Sequence, residues 1–329
     1  MRLVKQLMVI INPISGTASK KGVDEAIRHE AIKYSLATDI RFTTGPDDAT
    51  RLAKEAIEKG YYGVIACGGD GTVNETARAL RGSDVALGII PMGSGNGLAR
   101  HLNIPMTVKG AMRVIAEDRV IACDYATAND HPFFCTFGIG FDAEVTYKFS
   151  EKGKRGLTTY LQTTLDEFVK YRSEEYTIIA NGETVTEEAL LVACCNASQY
   201  GNNAYIAPTA SIKDGLLDIT IIHKGSPLKL ALAGIDVLTG LVGKTAKATT
   251  FRAPNVTIIR RTQGATHLDG EPANMDTRID VNIHPAQLKL FTTARKSHYR
   301  ALLSPQIPFI SPFILTMQDI GYKIVNLFR

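Results

Sequence analysis

Three apolar runs, residues 7–11, 62–67 and 86–90, each lead straight into a turn rich in Gly, Pro or Asn: NPISGT, GGDGT and PMGSGNG. Amphipathic stretches lie between them. In 47–59, for example, Ala49, Leu52, Ala53, Ala56 and Ile57 share one helical face. Short apolar strands alternating with helices build βαβ units, and hence a parallel sheet with helices on both faces. The first 125 residues therefore predict a Rossmann-like α/β domain. Ligands of such sheets bind beyond the C-terminal ends of the strands, so the three glycine-bearing loops are expected along one sheet edge.

From about residue 126 the texture changes. HPFFCTFGIGF, EYTIIANG, ALLVACCNAS, LLDITIIHKG, NVTIIRR, RIDVNIHP and QLKLFTT are β-rich runs separated by turn residues. Helical patterns interrupt them at about 157–171 and 227–242. The expectation is a mainly antiparallel β-sandwich domain over 126–297. Two domains also suit 329 residues, which exceed most single cores. Residues 298–329 differ again, with several prolines and then an amphipathic pattern of Phe313, Met317, Ile320, Ile324 and Leu327. That pattern fits a helix lying in a membrane interface or one packed on the protein's own surface.

A net charge of +4 fits an anionic ligand or membrane surface, and equally an ordinary soluble enzyme. The five cysteines are odd in number, form no CxxC and mostly sit in apolar runs, as expected for buried thiols in a cytoplasmic protein. MRLVKQLMVIINP is expected to be a first strand and not a signal peptide. No segment has the roughly 18 uncharged apolar residues of a membrane-spanning helix.

Glycines permit positive φ and let a ligand approach the main chain, and a helix N-terminus behind them makes an anion site. GGDGT (68–72) fits that description, with a helix expected from about Thr72. Asp70 beside a phosphate requires a cation between them or a proton to handle; the plainer alternative is an N-cap. GSGNG (93–97) does not satisfy GxGxxG, and no GxxxxGK[ST] loop occurs, so neither a dinucleotide fingerprint nor a P-loop is present. HLDGEP (267–272) fits an Asp-Gly hairpin turn as well as a functional loop. The seven histidines show no metal-ligand spacing.

In their order and spacing GGDGTVNE, GSGNGLA, NPISG and LDGE resemble the diacylglycerol kinase catalytic-domain family, which includes bacterial diacylglycerol kinases and sphingosine and ceramide kinases. The resemblance covers roughly residues 5–295. It implies ATP and magnesium as cofactors and an active site in the cleft between the two domains. It also implies a lipid substrate met by peripheral association with a membrane, no nucleic acid, and room for a homodimer. Asn12, Pro13, Ile14, Ser15, Gly16, Thr44, Gly69, Gly71, Thr72, Val73, Asn74, Glu75, Ser94, Gly95 and Asn96 correspond to positions lining the nucleotide. Asp70 is implied in the magnesium and proton network, and Glu271 as proton acceptor, with Asp269 beside it. SIKDGLLD resembles a magnesium loop, with the Asp214 carboxylate and carbonyls near Ser211 and Leu216 as ligands; a simple Asp-Gly turn is the alternative. Asp142 and Glu144 correspond to acidic residues near the substrate headgroup, and Lys154 and Arg155 offer charge at the cleft or a solvated run.

One departure concerns Gly97, where bacterial diacylglycerol kinases of this pattern carry an acidic residue. The missing charge favours a sphingoid base over diacylglycerol. The expected activity is phosphoryl transfer from ATP to a lipid hydroxyl. An NAD kinase and a catalytically silent lipid-binding protein of the same fold are the alternatives.

Overall fold

The computed structural model describes residues 5–14, 22–151, 163–164, 167, 171–244 and 247–293. Ser15, Gly16, Lys154, Arg155, most of the helix expected at 157–171 and the whole tail 298–329 lie outside the described residues.

The first region alternates strands and helices: β1 (Gln6–Ile11), α1 (Val23–Lys33), β2 (Ala37–Phe42), α2 (Asp48–Glu58), β3 (Gly63–Gly68), α3 (Asp70–Leu80), β4 (Ala86–Pro91), α4 (Gly97–His101) and α5 (Val108–Ala116). The strands pair in parallel in the order β2–β1–β3–β4. β3 and β4 are buried at every residue, as a sheet covered on both faces requires. Met8, Val9, Ile10, Ile65 and Leu87 are completely buried at its centre, each contributing roughly 1.5–3 kcal/mol of transfer free energy. β2, the edge strand, is only half-buried and reads ATDIRF, so hydrophobic runs alone do not reveal it.

The second region holds β5 (Val120–Ala128), β6 (His131–Phe133), β7 (Thr136–Gly140), α6 (Phe141–Glu151), β8 (Glu174–Ala180), β9 (Glu183–Cys195), β10 (Gln199–Gly201), β11 (Ala204–Tyr205) and β12 (Leu217–His223). They are followed by α7 (Pro227–Thr239), β13 (Ala248–Ala253), β14 (Asn255–Arg260), β15 (Gly264–Leu268), β16 (Glu271–Met275) and β17 (Arg278–Phe291). Strand pairing within this region is antiparallel, in the order β16–β15–β7–β9–β8–β14–β17. Phe133, Phe137, Tyr176, Ile258 and Ile279 form its core. α6 begins directly after the strand ending in Gly140, inside a segment whose sequence reads as β-rich.

β17 joins the two regions. Its first half pairs with β14 and its last residues lie parallel to β4, with Leu290 opposite Leu87. Leu288, Leu290 and Phe291 pack in the core of the first region. β5 runs antiparallel along both halves of β17, so residue 125 falls inside a strand that serves both sheets. The pairing shifts register between His284 and Leu288. There Ala286, at φ 56°, donates its N–H to the buried carboxylate of Asp124 (2.8 Å).

All five cysteines are free and buried. Burial pushes the Cys123 thiol up to about 12 and the Cys135 and Cys195 thiols well above their usual range. Among the described residues no helix is long and apolar enough to cross a membrane.

Candidate active site

GGDGT and GSGNG leave the C-terminal ends of the adjacent strands β3 and β4 and touch through bare backbone. A Cβ on Gly93 would lie 2.6 Å from the Cα of Gly69, and one on Gly95 would lie 2.8 Å from Asp70 Oδ2. A Cβ on Gly68 would strike Thr72 Oγ1 at 2.4 Å. Close approach explains these glycines. The expected need for positive φ does not, because Gly68, Gly69 and Gly71 are absent from the left-handed region, which Asn96 occupies instead at φ 55°.

α3 starts at Asp70 and not near Thr72, with Gly69 at its N-cap. Within its own helix the Asp70 carboxylate meets only its own N–H. It crosses to the neighbouring loop, where Oδ2 accepts the Asn96 N–H (2.8 Å) and Oδ1 the Gly97 N–H (2.7 Å). Burial raises its pKa, and those amides together with the charge of Arg100 oppose the rise. The Asn96 side chain folds back on Gly93, accepting its N–H and donating to its carbonyl. Ser94 is exposed at the tip.

Other expected nucleotide contacts are engaged locally. Asn12 Nδ2 donates to Thr72 Oγ1 (3.1 Å), and Asn12 Oδ1 accepts the Ile14 N–H. The Thr44 hydroxyl and amide both donate to Asp48. Glu75 accepts the Ala49 N–H (3.2 Å) in the first turn of α2. Val73 is a core residue whose N–H bonds Gly69 O, so neither its side chain nor its amide is open to a ligand. Ile14 is strongly exposed beside Pro13.

The LDGE turn of the second region closes over α3. Asp269, at φ 53°, accepts three main-chain N–H groups, from Phe134 (2.7 Å), Cys135 (2.7 Å) and Thr136 (2.8 Å). The buried Asn74 side chain of α3 adds a fourth hydrogen bond to it. This carboxylate is consumed in holding the turn. Glu271, two residues on, is nearly half-exposed, and a Cβ on Gly71 would lie 3.1 Å from its Oε1. Its pKa is raised by burial, lowered by the Arg78 guanidinium 3.4 Å away, and raised again by Asp269, Glu75 and Asp70. Asp70, Asn74 and Arg78 stand four residues apart on α3, so a helical reading of DGTVNETAR could have found Arg78 on the face of Asp70.

Asp142 and Glu144, two residues apart on α6, part company. Asp142 is buried, accepting from the Tyr200 hydroxyl (2.7 Å), with His267 Nε2 at 3.0 Å. Glu144 lies 3.9 Å from Lys148 and lines a small separate cavity with Tyr171, Glu174 and Arg260.

Two family models match the chain. The diacylglycerol kinase catalytic domain matches residues 6–128, and the YegS C-terminal NAD kinase beta sandwich-like domain matches residues 136–292. A Pseudomonas putida protein named "Probable lipid kinase YegS-like" is 30% identical over 78% of this chain and 85% of its own length. The chain belongs to the diacylglycerol kinase catalytic-domain family. It also matches an uncharacterized Synechocystis protein at 31% identity over 71% of this chain, spanning only 56% of that relative. A crystal structure of a diacylglycerol kinase from Bacillus anthracis shares the fold, with a TM-score of 0.71 at 20% identity, over 89% of this chain and 99% of that one. Membership of this family makes the protein a lipid-kinase relative that is expected to use a nucleotide.

At the expected magnesium loop the one carboxylate is engaged within the protein. Asp214 Oδ1 accepts the Leu216 N–H (3.2 Å), and Oδ2 faces the Arg252 guanidinium at 3.7 Å. Arg252 also bonds Asp218 (3.3 Å), so an arginine already supplies the positive charge beside Ser211–Leu216. Among the described residues no three His, Cys, Asp or Glu side chains gather as a metal site.

Proposed function

We propose that this protein transfers the γ-phosphate of ATP to the hydroxyl of a lipid, either diacylglycerol or a sphingoid base or ceramide, presented at a membrane surface. One observation carries the reading: a half-exposed glutamate of raised pKa stands over the first turn of α3, where two glycine loops meet. In this reading the phosphates lie against the turn after β1, the amides of Gly71 and Thr72, and Ser94 and Gly95. First-turn amides lack partners within their helix and suit an anion. Magnesium, arriving with the nucleotide, would neutralise phosphate charge.

Glu271 takes the proton of the attacking hydroxyl. A carboxyl raised toward neutrality is a better base than an ordinary one at neutral pH. The Arg78 guanidinium opposes the rise and favours the ionised form. Asp269 and Asn74 are positioning residues that fix the turn above α3. Asp70 fixes the GSGNG loop and keeps a negative charge at its base, where a nucleotide-borne cation would sit. The buried Asp142 and His267, with the partly buried Tyr200, give the acceptor side a polar floor.

The test offers labelled ATP and magnesium with diacylglycerol, sphinganine, ceramide, a total lipid extract and NAD in parallel. Label entering an organic-phase lipid supports the proposal. Label entering NAD alone would replace it with the NAD kinase reading. ATP binding without any transfer would leave a silent lipid-binding protein.

A further inference from the structure

A cavity of about 350 Å³ opens beside α4, bounded by the β10–β11 hairpin, the loop at 211–213 and the end of β17. Arg100 and Lys213 both line it, and among the described residues neither forms an ion pair with a carboxylate. His101 lines it too. Its Nδ1 lies 3.2 Å from the Ser198 amide nitrogen, which can only donate, so the proton of the neutral ring sits on Nε2. Burial pushes the His101 pKa down to about 4, so the ring is neutral at physiological pH and keeps that N–H donor. Ser211 and Thr292 add hydroxyl groups to the lining. Two cations, an imidazole N–H and hydroxyls converging on one concave space match a phosphate ester, which offers several strong acceptors and negative charge.

We propose that this cavity binds a phosphate monoester, with Arg100 and Lys213 pairing its charge and His101, Ser211 and Thr292 offering further donors. The site is distinct from the cleft under Glu271, yet it is wired to that cleft. Arg100 Nε donates to the Gly95 carbonyl (2.9 Å), and the Asn202 N–H of the hairpin donates to the same carbonyl (3.2 Å). A bound phosphate therefore bears on the GSGNG loop, whose next two amides Asp70 holds. The ester has two sources, a soluble sugar or glycerol phosphate or the headgroup of an anionic lipid, and the recognition chemistry is the same for both.

The full chain is titrated calorimetrically with glycerol 3-phosphate, with a non-hydrolysable ATP analogue kept saturating so that the nucleotide cleft is filled. Phosphatidylcholine vesicles with and without phosphatidic acid form the second arm. Lys213→Glu and the milder Lys213→Gln are compared with wild type. Saturable binding is expected, weakened about tenfold or more by Lys213→Glu, since one charge-assisted hydrogen bond is worth on the order of a tenfold change. Phosphorylation without added phosphate ester stays unchanged in both variants. Binding of glycerol 3-phosphate assigns a soluble effector, and binding confined to phosphatidic-acid vesicles assigns a lipid headgroup. No saturable binding in either arm, or equal affinity in Lys213→Glu and wild type, overturns the proposal.

Discussion

Two loops in this molecule are each held by a largely enclosed aspartate, and the two aspartates are used differently. In the first region Asp70 reaches from α3 to a separate loop and takes two of its amides. In the second, Asp269 sits on the turn it stabilises and takes three amides from the β6–β7 connection. Burial raises both carboxyls. Asp269 takes three amides and the Asn74 side chain, whereas Asp70 takes two amides of the neighbouring loop, where the two glycine loops meet. The lesson is that a perturbed carboxyl marks a site without naming its chemist. In the proposed mechanism the group left to move a proton is Glu271, which is less buried and paired with a single arginine.

The contrast can be broken by substitution. Glu271→Gln removes the base and keeps the shape; turnover should fall about 10²–10⁴-fold, with the urea midpoint unchanged because the side chain is half in water. Unaltered turnover would transfer the proton-accepting role elsewhere. Asp269→Ala should do the reverse to stability, since three buried N–H groups lose their acceptor. At roughly 1–3 kcal/mol for each unsatisfied group, a total loss of about 3 kcal/mol or more is expected, read by denaturant unfolding. A variant as stable as wild type would deny Asp269 its clamp. Asp70→Asn falls between, lowering both rate and stability, because one amide loses its acceptor while the active loop loses a charge.

The acid limb of the pH–rate profile comes next in size. If Glu271 is the base of the proposed reaction it acts ionised, and activity should rise with pH through a value above that of an ordinary glutamate. Arg78→Met takes away the cation that lowers this pKa, and the limb should move further up. A limb that stays put would mean that another group titrates there. Stability has the opposite sense. Asp70, Asp269 and Glu271 bind their protons more tightly folded than unfolded. Their contribution is therefore greatest at low pH, and it falls as pH climbs from the ordinary carboxylate values to the raised ones.

The smallest effect is expected at Gly97. A Cβ there meets the Tyr200 and Gln199 carbonyls and Cys135 Sγ at 3.5–3.7 Å, ordinary contact distances, so Gly97→Asp should fold. Its carboxylate would join Asp70 and lower the relative kcat/KM for sphinganine against a chain-matched diacylglycerol. An unchanged ratio would show that this position has no say in the lipid.

What the sequence made legible was whatever leaves a periodic or compositional trace. Buried parallel strands such as Val64–Cys67 are continuous apolar runs, and loops in close contact demand glycine. The edge strand Ala37–Phe42 leaves no such trace because half its surface meets water. Nor do partnerships across the chain, such as Asn74 with Asp269 or Arg78 with Glu271, since no local pattern records which distant turn will arrive. The separation of Asp142 from Glu144 was legible in principle, as residues two apart on a helix face different ways. It was missed because GFDAE sits in a β-rich context.

The strand shared by the two sheets has a consequence for how the chain is made. β4 receives its outer neighbour only from residues near Leu290, almost at the end of the described chain. During synthesis the parallel sheet of the first region therefore emerges with an open hydrogen-bonding edge and without Leu288, Leu290 and Phe291 in its core. It waits in that state until the roughly two hundred residues between β4 and Leu290 have been translated. At about 5–20 residues per second that wait lasts on the order of ten seconds or more. An exposed edge over that time invites pairing with another nascent chain. β17 thus acts as the closing stitch, and a ribosome that stops short of it releases a product whose first region is already folded in outline yet open to aggregation.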